Sequence, residues 1–227
     1  RHRKKETFLM RNLFRLDNPV MQFLSRVCDL MIVNVLFWLC CLPVVTVGAS
    51  LTALHKVTQS IVLNEDGGVV KPFFRAFRGN FRQATAGWLV LAVFLAGLAA
   101  DLLLAQAYLT GNSLLVCRWL CLVLGVVVLS ISVYYFHLVA RYENTVRQHA
   151  MNAAILALVK LPRTVLMVLL TLLPVLVLLI SMQTFVSTLI FWVILGFSFV
   201  SYLQSCLLRP VFHQLEPPTG PNVQLMD

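Results

Sequence analysis

Residues 164–208 contain no Asp, Glu, Lys or Arg. One helix through those 45 residues would be about 68 Å long at ~1.5 Å per residue, more than twice the ~30 Å of a bilayer's hydrocarbon core. The run therefore predicts two membrane spans, 164–181 and 186–208, turning at SMQTF (Ser181 to Phe185). Composition agrees. Charged residues make up 12% of the chain, against about 25% in a soluble domain, and hydrophobic ones 59%. Mean hydropathy is +0.85. Such a chain cannot cover a water-facing surface, which excludes intrinsic disorder and nearly excludes an ordinary soluble enzyme.

A second pair of spans follows from the same reasoning. Residues 83–100 and 102–117 are uncharged, and the break YLTGNS at 108–113 separates spans at 84–106 and 114–138. The first apolar region, 30–54, is interrupted by Pro43, Thr46 and Gly48. Proline lacks a donor N–H and glycine permits a sharp bend. Two readings fit: a kinked span from 28 to about 50, or a hairpin of short helices at 27–42 and 48–64. Charge placement selects the hairpin. Of the 18 basic residues, 17 fall in the N-terminal segment, in 56–82, in 139–163 or at Arg209, and only Arg118 lies elsewhere. Short loops rich in Lys and Arg stay cytoplasmic, so these segments must be joined by even numbers of crossings.

The expected fold is thus an all-α polytopic membrane bundle of about six embedded helices, including the Pro/Gly-broken hairpin. A basic cytoplasmic segment (1–26) precedes the membrane domain (27–210), and a cytoplasmic tail (211–227) follows. Both termini are expected inside a plasma membrane. The chain opens at Arg1 rather than Met, so residues upstream are expected. Its basic opening has no adjacent apolar core with a cleavage site, so no cleaved signal peptide is expected. The six Cys residues lie in or beside apolar stretches and are expected to be buried thiols.

Two connections carry more pattern than a linker needs. In KPFFRAFRGNFRQ, Phe73, Phe77 and Phe81 recur every four residues beside Phe74. Lys71, Arg75, Arg78 and Arg82 occupy nearly the opposite face at 100° per residue. A cytoplasmic helix at 71–82 is predicted, touching either anionic lipid or a protein partner through these residues. A second cytoplasmic helix is predicted at 141–160, where Glu143 and Arg147 are four apart in the favourable order.

Convergent chemistry is absent from the sequence. No HExxH, GxGxxG, GxxxxGK or GxSxG occurs, and the five His residues are scattered. Catalytic residues, metal ligands and cofactors are not expected. The basic clusters flank spans, as topology demands, so nucleic-acid binding is not expected either. The remaining candidates are intramembrane polar and structural residues. Asp101 and Arg118 are expected to pair across two helices. Asn34 is expected to hydrogen-bond across the hairpin near Thr46. Pro43, Thr46 and Gly48 form the turn.

Asn34, the LP-x-x-T-x-G core (Leu42, Pro43, Thr46, Gly48), Ala53–Leu54 and the Phe73/Phe74/Phe77/Asn80/Phe81 block together resemble the YesL family of bacterial membrane proteins, domain of unknown function 624. The resemblance spans roughly 12–210. It brings no catalytic residues. It implies an association with carbohydrate uptake in Gram-positive bacteria, commonly beside ABC sugar importers. The expected function is a non-catalytic accessory subunit bound to the permease or ATPase subunits of a carbohydrate ABC importer. The rival is a stand-alone small solute transporter or channel, favoured by the Pro43–Gly48 break.

Overall fold

A computed structural model describes residues 19–65 and 67–215, and every regular element among them is helical. Helix α1 (Pro19–Cys41) leads through a 3₁₀ turn at Val44–Thr46 into α2 (Val47–Leu63). Then come α3 (Val70–Gly79), α4 (Phe81–Tyr108), α5 (Asn112–Arg141) and α6 (Val146–Val159). Helix α7 (Leu161–Ile180) is followed by α8 (Met182–Phe191), a π-helical segment at Trp192–Gly196 and α9 (Phe197–Leu215), the last three forming one continuous rod. Five rods are long and apolar enough to cross a membrane: α1, α4, α5, α7 and α8–α9. The chain is a multi-pass helical membrane protein.

Helix α2 is too short for that group at 17 residues, yet it is the axis of the bundle. Eleven of its residues are buried, and α1, α3, α4, α5 and α9 surround it. One apolar cluster, with Val33, Phe37, Leu54, Val57 and Phe73, fills the α1–α3 side. Another, with Ala84, Leu91, Tyr134, Val139, Met167 and Leu208, fills the other side.

The predicted hairpin is present. Thr46 Oγ1 donates to Cys40 O (2.6 Å) and Pro43 O (2.7 Å), covering carbonyls freed where α1 ends. Trp88 Nε1 donates to Val44 O at 2.8 Å, fixing the hairpin tip against α4. Gly48 lies so close to α4 that a Cβ would stand 2.4 Å from Ala84 O. The tip therefore meets α4 near its start, and α4 continues about 30 Å beyond Trp88 to Tyr108. Helix α1 is itself long and apolar enough to cross. The turn packs against α4 through Val44 O and Gly48, while the side chains of Leu42, Val44 and Val45 remain exposed.

Several predicted boundaries move. Helix α1 is already helical at Pro19, ahead of the expected residue 27, and Arg26 reaches across to donate to Asn64 Oδ1 at the end of α2. This carries the membrane domain into the predicted N-terminal segment, whose residues 1–18 lie outside the described ones. Helix α9 likewise passes Pro210 and continues to Leu215, while 216–227 lie outside the described residues. The predicted 71–82 helix ends at Gly79. Asn80 closes α3 (Asn80 N–H to Ala76 O, 3.0 Å) and opens α4 (Ala84 N–H to Asn80 O, 2.9 Å), so Phe81 and Arg82 belong to α4. The second cytoplasmic helix begins at Val146 rather than 141, because α5 runs on to Arg141 and a Thr145–Gln148 capping box starts α6. The SMQTF turn narrows to Ser181, whose hydroxyl caps α8, so Gln183 is helical.

Candidate functional site

Asn34 is the most connected of the predicted polar residues, and its partner is not the hairpin. Its side chain is fully buried. Nδ2 donates to Trp192 O (3.2 Å) and Val193 O (2.6 Å), and Oδ1 accepts from Ser198 N–H (2.9 Å). A π-helical stretch inserts an extra residue and misaligns the backbone ladder. One amide supplies both the donor and the acceptor needed there. The expected contact near Thr46 is not made, because Thr46 turns back onto Cys40 and Pro43 of its own segment.

The Asp101–Arg118 pair is also corrected. Both side chains are exposed and no ion pair joins them among the described residues. They lie towards the lightly packed end of α4 and α5, where long side chains can reach the headgroups instead of each other.

Helix α3 divides its aromatics. Val69, Phe73 and Ala76 face inward, Phe73 with no exposure at all, and Phe77 is half-buried behind them. Phe73 is thus unavailable to lipid or partner: it packs in the α1–α2 cluster. The outward face carries Lys71, Phe74, Arg75 and Arg78 at helical spacing, with Val70 beside them. Phe81 and Arg82 are exposed on the first turn of α4. Below this face runs a polar groove of about 880 Å³, lined by Lys56, Glu65, Arg75, Asn80, Glu143 and Gln148 among others. Gln83 Nε2 donates to Asn144 O (2.9 Å) across its end.

The sequence reading missed a buried polar cluster. His55 and His137 stack with ring centroids 3.7 Å apart and an interplanar angle of 26°. His55 Nδ1 lies 2.7 Å from Ser201 Oγ, and Ser201 lies 2.8 Å from Thr58 Oγ1. Gln59 Nε2 donates to His137 O (3.2 Å), and His137 Nδ1 donates to Val133 O (2.8 Å). Gln204 Nε2 donates to Met167 O (3.1 Å) and Thr171 Oγ1 (2.8 Å). A usable signal existed. Ser198, Ser201, Gln204 and Ser205 recur at three- and four-residue spacing, one polar stripe on an otherwise apolar helix. Above the cluster lies a cavity of about 310 Å³ with walls from α1, α2, α4, α5, α7, the π segment and α9.

A family model described as Protein of unknown function, DUF624, matches residues 30–102. The match covers about a third of the chain, which is similar to that family over this segment. No curated protein and no solved structure matches the chain. The DUF624 segment holds Asn34, the hairpin turn, His55, all of α3 and most of α4. The groups they bind, namely the π segment, His137, Ser201 and Ser205, lie beyond it. The contacts of Asn34, His55, Thr58 and Gln59 thus join the matched segment to the helices that follow, while Gln204 binds α7 within the later part of the chain.

Outside the spans, His149 on α6 is almost wholly buried, 6.1 Å edge-on from Tyr135. Neither ring nitrogen has a partner among the described residues. Burial pushes its pKa below the usual 6.5 and favours the neutral ring.

Proposed function

We propose that this chain is a non-catalytic accessory membrane subunit that docks on a bacterial carbohydrate ABC importer through its basic end. The observation that carries the reading is the outward face of α3. The helix uses Phe73 and Ala76 to close its own core, yet still presents Phe74 and Val70 among Lys71, Arg75 and Arg78. Aromatic and Arg residues together are the usual anchors of a protein contact. The neighbouring groove offers both signs of charge, which suits a polar helix or loop from a permease or ATPase subunit. The positive-inside rule puts this end, and both termini, on the cytoplasmic side of the plasma membrane, where anionic lipid surrounds the contact.

The rival reading, a small transporter, draws on the cavity between the helices and the Pro43–Gly48 break. The cavity wall is mostly Leu, Val, Phe and Trp, which suits a carbohydrate poorly. Photoreactive residues at positions 74 and 78 separate the outcomes in native membranes. Crosslinks to permease or ATPase subunits support docking. Crosslinks to lipid alone, with the importer present and intact, remove it. Solute uptake by the purified chain in liposomes would instead favour the transporter.

A further inference from the structure

The intramembrane cavity is lined without a single Asp, Glu, Lys or Arg. Five of its lining residues are polar by side chain: His55, Ser132, Thr171, Ser201 and Gln204. Most of their capacity is already used. Ser132 Oγ donates to Val128 O within its own helix (2.7 Å), and Thr171 Oγ1 donates to Met167 O (2.9 Å). Three atoms of the lining residues remain without a partner among the described residues: His55 Nε2, Gln204 Oε1 and the Trp192 indole N–H, and the last is buried behind the cavity surface. His55 and Gln204 are both next to Ser201, one bonded to it and the other three positions along the same helix.

The bond from Thr58 to the carbonyl one turn back sets one arrangement of this network. With the Thr58 proton on Leu54 O (3.0 Å), Ser201 donates to Thr58. Ser201 then accepts from His55 Nδ1–H, which leaves Nε2 as a bare lone pair. Gln204 Nε2 faces the carbonyl of Met167, so its amide orientation is set and Oε1 is the free end. In that arrangement the cavity surface presents two acceptors and no charge at one corner, and apolar walls including Trp88, Leu91, Leu95 and Phe136 elsewhere. Its 310 Å³ holds about ten groups of water size at ~30 Å³ each. That volume is at the lower end of small-molecule sites, which are mostly apolar with a few placed polar groups.

We infer that this cavity is a binding site for a neutral, hydroxyl-headed lipid, such as a fatty or isoprenoid alcohol. Its hydroxyl donates to His55 Nε2 or Gln204 Oε1, and its chain lies along the Trp88–Leu95 wall. A carboxylate is disfavoured because it would face two acceptors with no cation in the lining. An alkane is disfavoured because it would leave both acceptors unpaired. The site does not depend on the importer reading, since it lies inside the bundle and away from α3.

Tryptophan quenching tests this directly. Trp88 and Trp192 line the cavity, whereas Trp38 and Trp119 are exposed and are replaced by Phe. The full chain in phosphatidylcholine nanodiscs is titrated with ω-bromoundecanol, bromoundecane and, at alkaline pH, ω-bromoundecanoate. The expected result is saturable quenching by the alcohol, with half-saturation at least tenfold below that of the alkane or the acid. In the double variant His55→Phe, Gln204→Leu, the alcohol should fall to the alkane's behaviour. Leu91→Trp, which fills the cavity, should abolish saturation by all three. Linear, equal quenching by alcohol and alkane in the parent protein would overturn the proposal. That comparison stands on the parent protein alone if the double variant does not fold.

Discussion

At the scale of single residues, Asn34 binds the bundle together. Its three hydrogen bonds go to backbone that the π segment has displaced from its own ladder. Asn34→Leu should cost about 2–4 kcal/mol, since three hydrogen bonds to backbone would be lost in a buried setting. A second variant tests the cause. Deleting Val193 removes the extra residue, restores α-helical spacing and leaves the faces of α8 and α9 in register. The deletion should rescue much of the loss in Asn34→Leu, while destabilising the parent; additive losses in detergent unfolding would argue against the linkage. His149 gives a pH-dependent prediction. Its folded pKa is lowered, so the unfolded chain binds more protons in the window below about 6.5. Stability is complete above that value and falls as pH drops from about 6.5 towards the lowered folded pKa. His149→Leu should shrink the difference in melting temperature between about pH 7.5 and about pH 5, and the variant should be no less stable at the higher value. An unchanged difference would assign the acid sensitivity to other groups.

At the scale of elements, α3 and the hairpin show what sequence could and could not say. The period of Phe73 and Phe77 against the basic residues correctly announced an amphipathic helix. Periodicity reports that a face is apolar, not what covers it, so Phe73 read as a contact for lipid or partner when α1 and α2 already cover it. Gly79–Asn80 was legible as a weak point, but the pattern ran across it because Phe81 continues the spacing on the next helix. The hairpin was legible through Pro43, Gly48 and charge parity, while its depth depended on a Trp88 contact that no local pattern encodes. The His55–His137 stack was hidden for the same reason: its members are 82 positions apart in sequence. Two substitutions separate the faces of α3. Phe73→Ala should destabilise by about 3–5 kcal/mol through a cavity, whereas Phe74→Ala should change stability by less than about 1 kcal/mol. Equal losses by thermal unfolding would place both rings in one environment. Gly48→Ala forces a methyl against the Ala84 carbonyl, in a crossing that cannot widen without releasing Trp88 from Val44. It should cost about 1–3 kcal/mol.

At the scale of the whole molecule, the charge pattern and the packing make one joint statement about depth. Lys56 on α2, Gln83 at the start of α4 and Arg141 at the end of α5 line one groove, whereas Arg118 lies near the opposite end of α5. Helix α2 rises only nine residues from Lys56 to its start at Val47, about 13 Å, which is less than half of a ~30 Å hydrocarbon core. A hairpin of that height is expected to enter and leave by the same face. This satisfies the even-crossing requirement without a full traverse. The measurement is cysteine accessibility with a membrane-impermeant thiol reagent, in a background lacking the native Cys residues. A cysteine at Asn112 should react from one side of sealed vesicles, and cysteines at Glu65 and Glu143 only from the other. A cysteine at Val45, on the hairpin tip and half-exposed, should react from neither side, because the surface it faces is hydrocarbon. It should become reactive in detergent once the bilayer is gone. Reaction of Val45→Cys from the Asn112 side in intact vesicles would show that the hairpin crosses completely. The contact between Val44 and Trp88 could then not lie at mid-depth, and α4 would have to extend well beyond the far headgroups.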